Sequence, residues 1–205
     1  MSDPRRQAII DGAFEVFMRY GYRRATMDDI AQRVGLSRPT LYLTFPNKEA
    51  ILRAVVEAGH ERILGEIEAG LPALRSLTDQ LLHVFEIWSV QPFEMVVSSP
   101  AADELMNDSF GFVGDVFDRS SQRLADLLTG LFRDAVVEPD ALDPSAPARA
   151  QVLIAAALGF KSKARDTAHM RQLIRDLVAM TVAGLPSALL YPQHPNRRRT
   201  GANRG

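Results

Sequence analysis

Apolar residues in this chain recur three and four positions apart, and no stretch alternates with the period of two that a half-buried strand requires. The pattern predicts an all-α protein. Its first stripe, Ile9, Ala13, Val16, Phe17 and Tyr20, draws a helix that Asp3-Pro4 begins and Gly21 ends. Two short patterns follow. In one, Ile30, Ala31 and Val34 share a face, Thr26 is placed as N-cap with Asp29 closing a capping box, and Gly35 is the left-handed terminator. In the other, Ser37 caps the helix and Pro39 falls in the first turn, where a missing N–H costs little. Leu41 and Phe45, four apart, anchor it to its neighbour. From Asn47 to about Gly70 a long helix buries Ile51, Leu52, Val55, Val56, Ile63, Leu64 and Ile67. At 1.5 Å per residue it is roughly 35 Å long. Leu71-Pro72 stops it.

Further on, residues 76–90 read as an amphipathic helix, and 92–107 as short pieces interrupted by Pro92, Ser98-Ser99 and Pro100. A long helix is expected over 109–137, a proline-rich loop from Glu138 to Pro147, and two more helices near 148–164 and 167–185. Pro186, Pro192 and Pro195 then lead out of the fold. The organisation expected is a three-helix head at 1–47, a helical body at 48–186 and a basic tail at 187–205 with no fixed fold.

Charge sharpens this division. The formal net charge is only −1, but residues 1–60 hold nine cations against seven acids, and Arg197, Arg198, Arg199 and Arg204 meet no acid in the tail. The middle of the chain is therefore acidic. A cationic head on an acidic body orients a molecule toward a polyanion without making its whole surface adhesive. There is no cysteine in the 205 residues, which excludes disulfides and thiolate chemistry. No run of apolar residues is long enough to span a bilayer and no signal segment is evident, so the expected location is the cytoplasm.

With Leu41 and Phe45 turned inward, Arg38, Pro39, Thr40, Tyr42 and Leu43 point outward. A short helix held across another, with cationic and hydroxyl groups exposed at its start, is a helix-turn-helix; its second helix enters the major groove of DNA. The outward Tyr42 argues against an ordinary helical hairpin with a solvated face, which would rarely present so large a ring. Arg38 and Thr40 are placed at base edges, and Pro39 and Leu43 in apolar groove contacts. Thr26, Tyr42 and Lys48 are placed at phosphates, and Ser37 at the start of the reading helix. Arg5 and Arg6 either reach the backbone of an adjacent groove or are solvated.

Ile9, Ala13, Phe17, Gly21-Tyr22, Thr26, Ile30-Ala31, Val34-Gly35-Leu36-Ser37, Thr40-Leu41-Tyr42, Phe45-Pro46 and Lys48-Glu49 together resemble the N-terminal signature of TetR/AcrR-type transcriptional regulators. The resemblance covers about the first quarter of the chain. It implies a one-component regulator: a DNA-binding head, an all-helical ligand-binding body, a homodimer, and a long helix that relays ligand occupancy to the spacing of two reading helices. Leu43-Thr44 departs from the polar or aromatic pair the family often carries there. Leu43 can touch a thymine methyl but cannot donate to a base, so the operator sequence stays open.

Two further sites are expected in the body. Phe85, Trp88, Phe93, Met106, Phe110 and Phe117 cluster in the interrupted region, with Glu86, Asp103 and Asn107 as polar neighbours, and suit a pocket for a small apolar or amphipathic effector. The same residues at helical spacing also suit a plain core. Val152, Leu153, Ala155, Ala156, Ala157, Leu158 and Gly159 make a helix apolar nearly all round, and Leu173, Ile174, Leu177, Val178, Met180 and Val182 a second broad apolar surface. Both are expected to pack on their two-fold copies as a four-helix bundle, with Leu153, Ala156, Ala157, Leu173, Leu177 and Met180 at the contact, the alternative being a deeper core within one chain.

Catalysis finds no support. His83 and Glu86 could share a helix face as half of a metal site, but His60, His169 and His194 offer no second half, and neither a nucleophile turn nor a phosphate-binding loop is present. No cofactor or metal is expected. The function expected is that of a homodimeric repressor released from double-stranded operator DNA by a small molecule. The rivals are an activator or ligand-independent regulator, and a helical small-molecule-binding or scaffold protein without DNA function.

Overall fold

The computed structural model describes residues 3–102, 104, 111–135 and 144–185, and every regular element among them is helical. The expected tail at 187–205 and parts of the expected loop and broken region lie outside the described residues. The helices are α1 (Pro4–Tyr20), α2 (Met27–Val34), α3 (Arg38–Thr44), α4 (Lys48–Gly70), α5 (Leu77–Phe85), α6 (Gln91–Val97), α7 (Gly114–Ala135), α8 (Ala146–Phe160) and α9 (Thr167–Ala183).

The head forms as its caps dictate. The Asp3 carboxylate accepts from the Arg5 amide to start α1, and Gly21, at φ 79°, turns the chain away at its end. Thr26 and Asp29 complete the capping box on α2, and Gly35 closes that helix in the left-handed region at φ 68°. Ser37 accepts from the Thr40 amide at 3.3 Å to begin α3. Asn47 does the same for α4 through the Ala50 amide at 2.8 Å. Each cap satisfies an N–H that a helix start would otherwise leave bare.

Two apolar cores result. The first collects Ile9, Ala13, Phe17, Ile30, Leu41 and Phe45 with Ile51, Leu52 and Ala54 from the first turns of α4. The second collects Leu64 and Ile67 from the last turns of α4 with Leu81, Phe85, Leu124, Phe132, Leu153 and Ile174 from the body helices. The expected boundary at residue 47 therefore falls just before a helix that both cores share.

Two prolines expected to interrupt or lie outside helices are instead accommodated in them. Pro92 does not break the chain. Residues Glu86–Val90 widen into a π turn, in which the Gln91 amide bonds back five residues to the Glu86 carbonyl, and α6 continues with Pro92 in its first turn. The wider turn accommodates a residue that has no N–H to give and whose ring would collide with a carbonyl in a regular helix. Pro147 likewise sits in the first turn of α8 and not in a loop.

Head and body are also joined outside α4. The Ser99 hydroxyl donates to the Met18 carbonyl, the Arg23 amide donates to Glu104 Oε1 at 2.7 Å, and the Tyr22 and Phe112 rings lie 5.8 Å apart. Along the exposed seam between α4 and α7, Arg53 pairs with Asp115, Arg119 with Glu57 and Asp115, and Arg123 with Glu61. The two guanidiniums around Asp115 hold its carboxyl well below the usual range, the hydrogen bonds from Arg53 acting most. Single pairs this exposed contribute little, so the ladder sets the relative orientation of the helices more than their stability.

Candidate nucleic-acid interface

The turn between α2 and α3 places α3 across the face of the head, fixed by buried Leu41 and Phe45. Its other side is open: Leu43 is 88% exposed and Tyr42 41%, with Arg38 and Pro39 exposed beside them and Thr40 half-buried. The five outward residues read from the sequence thus share one surface. Arg38 does not hang free in it. Its Nη1 lies 2.9 Å from Asp28 Oδ2 at the start of α2, and its guanidinium carbon lies 5.6 Å from the centre of the Tyr42 ring. The Asp28 charge and the neighbouring phenol raise the arginine pKa further, the Tyr42 hydrogen bond contributing most.

Two of the expected phosphate contacts are committed elsewhere. The Thr26 hydroxyl donates to Asp29 Oδ2 at 2.6 Å while accepting the Asp29 amide at 3.1 Å, so its proton serves the capping box. These bonds, the side-chain one first, hold the Asp29 carboxyl below its usual range. Lys48 donates to the carbonyls of Tyr22 (2.7 Å), Ala25 (2.7 Å) and Arg23 (3.3 Å), with its ammonium 4.4 Å from the centre of the Tyr22 ring. An ammonium has three donors and all three are taken. Lys48 therefore clamps the α1–α2 loop onto the start of α4, where the sequence reading placed it on a phosphate. The clamp was invisible in sequence because its acceptors are backbone carbonyls, which every residue carries. Asp28 carries no signal in the sequence for a similar reason: a first-turn acid looks like a helix-dipole residue until its neighbour ten positions on is placed beside it.

Four of the six residues expected to line one pocket are described. Phe85 and Phe93 are buried in the body core, and Met106 and Phe110, like Asp103 and Asn107, lie outside the described residues. Trp88 and Phe117 instead flank His60 of α4 edge-on, at 5.5 and 4.9 Å between ring centres. His60 Nδ1 is buried with no hydrogen-bond partner among the described residues, and burial lowers the imidazole pKa. A cleft of about 380 Å³ opens elsewhere, between the end of α4, the π turn and α9, with His83, Glu86, Arg171 and Arg175 among its walls. There the Arg171 Nε and Nη2 atoms grip Glu86 at 3.0 and 2.8 Å. No group of three or more His, Cys, Asp or Glu side chains among the described residues could hold a metal ion.

The expected contact between copies is divided by the structure. Leu153, Ala157 and Leu177 are buried within the chain, so the deeper core takes them; Ala156 and Leu173 are half-buried. Met180 is 68% exposed, as are Val152 (65%) and Leu158 (71%), with Ala155, Ala179 and Ala183 also open. The open apolar face thus keeps Met180 of the expected contact and, on α8, takes Val152, Ala155 and Leu158 from the surface the sequence marked, in place of Leu153 and Ala157. A helix that is apolar nearly all round gives periodicity no means of choosing between its faces.

Residues 9–55 match the profile described as bacterial regulatory proteins, tetR family, a span that covers α2, α3 and the shared first turns of α4. The transcriptional activator FasR of Mycolicibacterium smegmatis is 38% identical over 77 residues, 38% of this chain and 34% of that protein. The chain spans about a third of the length of such head-matched curated relatives. The repressor BepR of Brucella suis is 29% identical over 165 residues, covering 76% of this chain and 78% of its own. The crystal structure of a TetR transcription regulator from Haloarcula marismortui superposes with a TM-score of 0.72 at 18% identity, covering 91% of this chain and 98% of that one.

Proposed function

We propose that this chain, which belongs to the TetR/AcrR family of transcriptional regulators, is a homodimeric repressor that binds double-stranded operator DNA and leaves it when a small apolar or amphipathic molecule enters the body. The observation that carries the reading is the face of α3: a helix pinned from behind by Leu41 and Phe45 that turns Arg38, Pro39, Thr40, Tyr42 and Leu43 outward. A rigid helix with its first residues exposed is what major-groove reading demands.

In this reading Arg38 and Thr40 meet base edges, Pro39 and Leu43 make apolar contacts, and Tyr42 meets a phosphate. Lys48 acts at one remove by holding the loop that sets the angle of α3. Two heads are needed, since one mildly basic head gathers few phosphate contacts. The open face of α8 and α9, with Val152, Leu158 and Met180, is the surface proposed to meet its two-fold copy. Effector control follows from the sharing of α4: a molecule that repacks the body around Trp88, His60 and Phe117 displaces the far end of the helix whose first turns belong to the head. That shifts the equilibrium only if the effector favours the non-binding arrangement. Such a protein works in the cytoplasm, where the chromosome is. Among the described residues no helix is long and apolar enough to cross a membrane.

Repression is preferred over activation because the relative aligned along most of the chain, BepR, is named a repressor, whereas the activator FasR aligns over the head and little more. A gel-shift titration on DNA flanking the protein's own gene, at two salt concentrations, tests the DNA reading. Tight binding that falls steeply with salt is expected, and an affinity indifferent to salt would overturn the reading.

A further inference from the structure

The reading face carries an acid where an interface with a polyanion has little use for one. Asp28 and Arg38 are both more than half exposed, come from different helices, and meet at 2.9 Å. On its other side the guanidinium leans on Tyr42, with Nη2 3.5 Å from the phenol oxygen and the ring centre 5.6 Å from the guanidinium carbon. Two groups thus fix one exposed cation. Stability does not explain the arrangement, because an ion pair this open contributes about 0–1 kcal/mol. Nor does the dipole of α2, which Asp28 and Asp29 would serve without any contact to Arg38.

We propose that Asp28 is a positioning residue for sequence readout: it holds Arg38 against Tyr42 so that the guanidinium meets a base edge in one orientation instead of swinging to the nearest phosphate. The inference rests on the DNA-reading role proposed above. A guanidinium has five N–H donors in a rigid fork. Asp28 engages one end and the Tyr42 ring fixes the side chain, leaving an edge free for the two acceptors of guanine, O6 and N7, which arginine reads bidentately. An untethered arginine has its full rotamer freedom and finds phosphates on every sequence alike. The carboxylate also repels phosphates wherever Arg38 has no base to engage. Asp28 therefore lowers affinity for all DNA while widening the gap between the right site and the wrong ones, which is how repulsion produces specificity.

The test begins by selecting binding sites for the intact protein from a random duplex pool. Affinities are then measured for the selected site, for each of its single-base-pair variants and for a scrambled duplex. The proteins are the parent, Asp28→Asn, Asp28→Glu, Arg38→Ala and the Asp28→Asn/Arg38→Ala double variant, each checked for an unchanged thermal melt. Asp28→Asn is expected to bind the scrambled duplex about 2- to 5-fold more tightly, having lost a charge that repels phosphates. It is expected to lose about 10-fold of discrimination at the same base pair where Arg38→Ala loses it. Asp28→Glu restores most of that discrimination, and in the Arg38→Ala background Asp28→Asn changes none of it. If Asp28→Asn discriminates as the parent does, or loses as much with Arg38 absent, Asp28 does not act through Arg38 and the proposal falls. If the parent enriches no sequence at all, the DNA-reading role fails first, and Asp28 has nothing to position.

Discussion

Glu104 accepts the backbone amide of Arg23 at 2.7 Å, joining residues 81 positions apart and tying the body to the loop between α1 and α2. The same loop is held from the other side by Lys48, so a carboxylate from the body and an ammonium from α4 grip one short turn. That turn leads directly into the start of α2.

Glu104→Ala should therefore loosen the head without unfolding it. The expected cost is about 1 kcal/mol, the usual net worth of one such hydrogen bond. Amide exchange at Arg23 should quicken about 10-fold, because the bond protecting it is gone. Exchange unchanged at Arg23 would show that the grip does not hold in solution. Gly21→Ala should disturb the same place more, since φ is 79° there and a Cβ would fall on the Glu104 carboxylate.

Lys48→Ala and Tyr42→Phe should separate structure from recognition. Lys48→Ala removes three charge-assisted bonds at a half-buried site and should destabilise the protein by about 2 kcal/mol in denaturant. Tyr42→Phe should leave the unfolding midpoint in place and weaken DNA binding, since it keeps the ring that Arg38 leans on but removes the phenol that meets a phosphate. A Lys48→Ala variant of parental stability would return the residue to the phosphate role its position in the sequence suggested.

His60 gives a pH dependence whose sign follows from burial. Its folded pKa lies below the usual 6.5, so the unfolded chain takes up a proton that the folded chain refuses. Stability should fall as pH drops below about 6.5 and level off beneath the folded pKa, because unfolding then binds the extra proton. Chemical denaturation at a series of pH values between 5 and 8 would show it, and His60→Phe should flatten that part of the curve. An identical slope in the variant would assign the effect to another group.

Met180→Glu and Leu153→Ala should have opposite signatures. The first places a charge on the open face of α9 and should convert dimers to monomers in sedimentation while leaving the fold intact. The second empties a buried position and should cost about 2–5 kcal/mol with no change of oligomeric state until the chain unfolds. Dimers that survive Met180→Glu would move the contact to another face.

The head was legible because its determinants are local. Thr26, Asp29, Gly35, Ser37 and Asn47 each act within four residues, and chemistry at that range is written in the order of the chain. The helices of the body were legible from apolar periodicity, but their ends were not: the helix read at 148–164 runs Ala146–Phe160, and the one read at 76–90 continues through the π turn into Gln91–Val97. What escaped were pairings across long separations. Arg38 with Asp28, Lys48 with three carbonyls, and His60 between Trp88 and Phe117 all depend on how helices cross. Pro92 misled because a proline reads as a break unless the preceding turn can widen, and the π turn at Glu86–Val90 is a product of packing. Which side of α8 stays open could not be read, because a helix apolar on nearly every side has no pattern to choose between its faces.

The double membership of α4 bears on how such a protein can be cut and recombined. A fragment ending at residue 47 would leave Ile9, Phe17 and Ile30 without Ile51, Leu52 and Ala54, the residues that close the head core. A self-standing head must therefore extend to about residue 58, and a graft onto a foreign body must carry that half-helix with it. The join would then fall inside a continuous helix, where a one-residue error of phase rotates everything beyond it by about 100°. Recombinants of this architecture that keep their control are expected to preserve the residue count of α4, whatever else they exchange.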